Sequence, residues 1–141
     1  MRTSLAALGG IAALSLTLAA APAAAAPAIP MTGAQESGPG DNNGHGFFSY
    51  RLSGTDFCYS MSWRGIDTAV AAHVHVAPRH VAGPVVIPLS VGDGSGATVS
   101  DCVAIDAGLA AAIKANPKAY YVNVHNEAFP AGAIRGQLKR D

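Results

Sequence analysis

The chain has 141 residues, half of them hydrophobic and only 13% charged, with nine basic residues against nine acidic ones. That balance leaves no electrostatic footprint for nucleic acid or for an anionic membrane. The length suits one domain with one modest core.

Arg2 gives a short positive start, residues 5–18 (LAALGGIAALSLTL) form an apolar run, and residues 19–26 are small, with Pro22 among them. The pattern reads as a secretory signal peptide over residues 1–26, cleaved near Ala25 or Ala26, rather than as a membrane anchor. No cysteine follows the run to accept a lipid, and no second apolar stretch or C-terminal anchor follows. The mature chain is therefore expected outside the cytoplasm, secreted or held at the cell envelope, with no membrane insertion after cleavage. Cys58 and Cys102 lie 44 positions apart in the exported part. In an oxidising compartment they are expected to form one disulfide, with a free thiol or a copper thiolate as the alternative.

Residues 27–44 are rich in Pro, Gly and small polar residues and are expected to be a flexible segment that includes a first strand near Ile29 to Met31. The main domain is expected over residues 45–141. Residues 46–52 (GFFSYRL) have strand character, and residues 57–63 (FCYSMSW) alternate cleanly. Phe57, Tyr59, Met61 and Trp63 share the face expected in the core, with Cys58, Ser60 and Ser62 opposite. Residues 69–77 form the next strand, with Val70, Val74 and Val76 on one face and His73 and His75 on the other. Pro84 and Pro88 mark residues 83–91 as an edge or bulged strand. Residues 97–105 follow a glycine-rich turn.

One helix is expected after Asp106 as N-cap, with Leu109, Ala112 and Ile113 as its apolar stripe and Asn116-Pro117 as its stop. Strand period resumes at residues 119–126 (AYYVNVHN), which place Tyr121, Asn123 and His125 opposite Tyr120, Val122 and Val124. Residues 133–138 (AIRGQL) end the series, with Ile134 and Leu138 inward and Arg135 and Gln137 opposite. Short strands at this spacing indicate a β-sandwich or a barrel.

His73, His75, Asn123, His125, Arg135 and Gln137 all fall opposite apolar partners, so they make one polar layer if their strands are neighbours. Three readings fit such a layer. The imidazoles of His73, His75 and His125 suit zinc or copper, with His80 or His45 as a fourth ligand and Asn123 and Arg135 supporting them. Alternatively the layer binds a partner, or its histidines simply tie strands together. Glu127 is the carboxylate nearest the histidine strand in sequence; it either orients an imidazole or is a solvated loop residue. No nucleophile elbow and no paired general acid and base are present, so no catalytic residues are assigned.

Two long stretches, AAHVHVAPRHVAGPVVIPL (residues 71–89) and YYVNVHNEAFPAGAIRGQL (residues 120–138), together with MTGAQESGP (residues 31–39), resemble the CHRD domain, a module first described in chordin and widespread in secreted bacterial proteins. The resemblance implies an all-β, immunoglobulin-like Greek-key β-sandwich, here with one short helix, and no established enzymatic activity. Its pattern residues include His73, His75, Asn123, His125, Gly132, Ile134, Arg135, Gly136 and Gln137. One loop departs: the family reads H-x-H-x-G-x-x-G-x-x-G-P-V, and Ala77 and His80 stand where its first two glycines would be. A fainter likeness is to secreted copper-zinc superoxide dismutases. Their two-metal site needs six histidines and this chain has five, so only a copper site from His73, His75 and His125 with His45 or His80 is conceivable. The expectation is an exported, non-catalytic binding or structural module with an extracellular protein or glycan as its partner; the alternative is a copper or zinc protein.

Overall fold

The computed structural model describes residues 27–140. The signal-peptide assignment lies outside them. The described residues form eight strands and one short α-helix, so the all-β expectation holds. The strands are β1 (Ile29–Thr32), β2 (His45–Ser53), β3 (Asp56–Arg64), β4 (Ala69–Val76), β5 (Val85–Leu89), β6 (Val99–Ala104), β7 (Tyr120–Asn126) and β8 (Ile134–Gln137), and α1 spans Ala107–Ala115. Among the described residues no helix is long and apolar enough to cross a membrane.

All eight strands join in one antiparallel sheet of order β5-β4-β7-β8-β1-β2-β3-β6. A long twisted sheet cannot stay flat, and this one curls over a single core. Phe48, Phe57 and Met61 on one half meet Val74, Ile87 and Val122 on the other. The two halves therefore face each other in the manner of a sandwich, with hydrogen bonding continuing from one half to the other where Thr32 of β1 pairs with Arg135 of β8. On the far side the Tyr59 hydroxyl of β3 accepts from the Ser90 amide just beyond β5, at 2.7 Å, which brings the sheet close to a barrel.

Local sequence explains most elements. In β2 and β3 burial alternates residue by residue, and the two strands turn at Gly54, whose φ of +59° lies in the left-handed region. The Asp106 side chain accepts from the Gly108 and Leu109 amides and so caps α1. Edge strand β5 tolerates Pro88 because one side of its ladder has no strand to satisfy. Cys58 and Cys102 are opposed across β3 and β6, with Cα atoms 4.0 Å apart, and are joined by the expected disulfide. The bond lies on the outer face and ties edge strand β6 to its neighbour, leaving the two halves unbridged. Ser60 and Ser100, the next pair on that face, are hydrogen bonded.

Two expectations need correction. Val70 is 57% exposed rather than on the core face. The pairing of β4 with β7 shifts register between Ala69 and Ala71, and the bulge turns Val70 outward while Ala69 and Ala72 point inward. In α1 the buried side chains are Ala110 and Ile113, while Ala112 is exposed. The stripe is centred about a fifth of a turn from its expected axis, because short alanines on both flanks give little preference between them.

Candidate functional site

Strand β7 sits between β4 and β8, and this order creates the polar layer. Register pairs His73 with Asn123, His75 with Tyr121 and Ala71 with His125 on one side of β7. On the other side Asn123 pairs with Arg135 and Tyr121 with Gln137. Every residue of β7 is buried, including Asn123 and His125, so both faces of this central strand are covered.

The cover over the polar face is the connection between β4 and β5, residues 77–84. Arg135, 1% exposed, donates from Nη1 to the Val81 carbonyl at 2.8 Å and from Nη2 to the Pro78 carbonyl at 2.9 Å. Gln137 donates from Nε2 to the Ala77 and Lys118 carbonyls, each at 2.8 Å. The Tyr121 hydroxyl accepts from the Gly83 amide at 3.3 Å, and His75 Nδ1 donates to the Gly83 carbonyl at 2.8 Å. Loop carbonyls that would be costly to bury unpaired are thereby satisfied.

Within this connection Val81 bonds back to the Pro78 carbonyl, and His80 has φ +61° in the resulting turn. The left-handed conformation is retained although the residue is not glycine. Gly83 does need to be glycine, because a Cβ there would lie 2.0 Å from the Val76 carbonyl oxygen.

The three histidines meet at the other end of the layer. His73 Nδ1 lies 3.1 Å from His125 Nε2, and one ring nitrogen from each of His73, His75 and His125 falls within 4.8 Å of the others. His125 Nδ1 is 3.0 Å from the Pro130 carbonyl. Carbonyls only accept, so His75 and His125 carry their protons on Nδ1 and leave Nε2 bare when neutral. His73 then donates from Nδ1 to His125 Nε2. Burial, reinforced by the neighbouring imidazoles, pulls the His73 pKa below the usual histidine value, and burial also lowers that of His125 against the opposing Pro130 hydrogen bond. His75 stacks parallel to the Tyr121 ring with centroids 4.7 Å apart.

The remaining expectations are placed as follows. His80 is exposed, with Nδ1 3.5 Å from the Glu36 carbonyl, and His45 is exposed on β2. Among the described residues neither joins the histidine group. Glu127 is exposed in the turn after β7, and the Pro130 carbonyl takes the orienting role considered for it. The carboxyl inside the layer is instead Glu36, which sequence reasoning missed although it stands in the MTGAQESGP stretch. Glu36 is 7% exposed and hydrogen bonded to the Asn123 side chain. Burial pushes its pKa up to about 7, against the pull of Arg135. Gly132 makes room for it: with φ +139°, a Cβ there would sit 2.3 Å from a Glu36 carboxyl oxygen.

A groove opens on the outer side of the 78–80 turn. It has a volume of about 690 Å³ and is lined by Arg79, His80, Lys118 and Lys139 together with Gln35 and Gln137. Among the described residues no carboxylate lines it.

Compared with curated proteins and with solved structures, the chain matches none. The family model described as the CHRD domain matches residues 28–138, which takes in every strand, the helix, the clamped connection and the histidine group. This chain belongs to the CHRD domain family.

Proposed function

We propose that this protein is an exported, non-catalytic module that binds an anionic extracellular polymer, of the acidic polysaccharide class, in the groove beside the 78–80 turn. The carrying observation is the cationic lining: among the described residues, Arg79, Lys118 and Lys139 line the open cleft and no acidic side chain does. The side-chain oxygen of Gln35, whose Nε2 is held by Pro30, adds an acceptor for sugar hydroxyls. Export is supported by the leader-like residues 1–26 and by the disulfide.

The polar layer contributes by fixing the groove's walls. Gln137 bonds at once to Ala77 at the start of one wall and to Lys118 on the other, and Arg135 holds the turn that carries Arg79. Residues on a backbone anchored this way lose less freedom on binding than residues on a loose loop. The reading is tested by comparing affinity for polygalacturonate and for neutral dextran at low and high salt. Binding is expected for the anionic polymer only, weakened by salt. An Arg79→Ala/Lys118→Ala/Lys139→Ala variant should bind at least tenfold more weakly; equal affinity for both polymers would refute the reading.

A further inference from the structure

The groove leaves several buried polar atoms unexplained, and one of them belongs to a histidine of the polar layer. His75 is 7% exposed, and its Nε2 has no hydrogen-bond partner. A buried lone pair with nothing to accept from is costly, and native proteins rarely keep one without a use. His75 is also one of the three histidines whose ring nitrogens gather there, with His73 and His125.

We infer that His73, His75 and His125 form a binding site for one imidazole-preferring transition-metal ion, copper(II) or zinc, with Nε2 of His75 and Nε2 of His125 as two ligand atoms and Nδ1 of His73 as the third. Three features of the geometry carry this. The backbone carbonyls of Gly83 and Pro130 hold the Nδ1 protons of His75 and His125, which fixes both rings in the tautomer that presents Nε2. Metal–nitrogen bonds of about 2.0–2.1 Å in a tetrahedral site place ligand nitrogens about 3.3 Å apart. The separation of 3.1 Å between His73 and His125 already matches, and no two of the three ligand atoms are more than 4.8 Å apart, so shifts of the rings by about 1.5 Å complete the set. Third, His73 is only half-buried and carries no backbone clamp, so it serves as the movable ligand on the accessible side.

Binding replaces the His73–His125 hydrogen bond. The proton on His73 Nδ1 moves to Nε2 of the same ring, leaving Nδ1 free for the metal, with no net proton release. The described residues supply no carboxylate or thiolate to this group, and the remaining coordination positions fall to water. An all-imidazole set favours copper(II) over zinc in affinity. None of the three ligands lines the groove, so the inference stands or falls independently of the proposed function.

The experiment uses untagged full chain with the disulfide intact, stripped with chelator and titrated with Cu²⁺ or Zn²⁺. One saturable equivalent is expected, with a rise in the unfolding midpoint. Loss of a supporting partner alone typically costs 10- to 100-fold in metal affinity, so His73→Ala should weaken binding by at least about 100-fold. That variant leaves the carbonyl clamps of His75 and His125 in place and keeps the test clear of misfolding. His45→Ala and His80→Ala should bind as the unsubstituted chain does. In the zinc form, ring nitrogen-15 shifts should move at Nε2 of His75 and His125 while their Nδ1 remains protonated. Non-saturating uptake, or full binding by His73→Ala, would overturn the site.

Discussion

The Arg135 guanidinium carbon lies 3.4 Å from the centre of the Tyr121 ring. The aromatic face supplies a cation–π partner, while the Nη atoms remain free to donate outward to Pro78 and Val81. On the other side of β7, His75 stacks on the same ring, so three strands present one column of planar groups under the loop. A lysine cannot reproduce this, because its point charge lacks the planar fork. Arg135→Lys should therefore lower stability by about 2–4 kcal/mol in a denaturant titration, from two lost charge-assisted bonds. Hydrogen exchange at the Val81 and Gly83 amides should accelerate with it.

The His80 position yields a prediction of opposite sign. A left-handed backbone costs a non-glycine residue about 1–2 kcal/mol, while glycine adds about 0.5–1 kcal/mol of unfolded-state entropy to lose. His80→Gly should thus stabilise the chain by about 0.5–1 kcal/mol. His80→Val should destabilise it, since a β-branched residue fits φ +61° poorly. Unfolding midpoints of the two variants check both directions.

Glu36 gives the fold a dependence on pH. Its carboxyl titrates near 7 in the folded chain and near its ordinary value of 4.5 when unfolded. Between those values the folded state holds a proton that the unfolded state has released, so stability falls as pH rises from about 4.5 to 7, by up to about 3 kcal/mol. His73 and His125 act in reverse: their lowered values cost stability as pH falls below 6.5, where the unfolded rings take up protons first. Glu36→Gln should remove the carboxyl contribution alone. Metal-free protein of that variant should no longer lose stability between pH 6.5 and 7.5, as measured by denaturant titration across that range.

The disulfide secures an edge strand. By the chain-entropy account a loop of 44 positions is worth up to about 4 kcal/mol. A Cys58→Ser/Cys102→Ser variant should lose a large part of that stability. Since the bond is on the outer face, far in sheet order from β4, β7 and β8, the variant should keep its affinity for the anionic polymer. Calorimetry together with the binding assay separates the two effects.

Most strands were legible because alternation is a local property: Phe57, Tyr59, Met61 and Trp63 point inward at every second position whatever lies beside them. The shared face of His73, His75, Asn123 and His125 was legible for the same reason. What surrounds that face was not. The return of residues 77–84 over the layer depends on side chains from β7 and β8, which no local pattern announces. Glu36 was missed because residues 33–36 form a short 3₁₀ turn and its exit, without periodicity, and its burial depends on Gly132 almost a hundred positions later. Val70 was misplaced because a bulge changes the face of a residue without changing the sequence pattern around it. The continuity of the sheet rests on a single bridge between Thr32 and Arg135, and pairing order is not written in either strand.

Recognition of an anionic polymer by the cationic groove is tested by amide chemical-shift mapping during titration with an oligogalacturonate. The account predicts saturable shifts concentrated at Thr32, Gln35, Arg79, His80, Lys118 and Lys139, all of which line the groove. Shifts centred elsewhere on the domain, or none at saturating ligand, would contradict it.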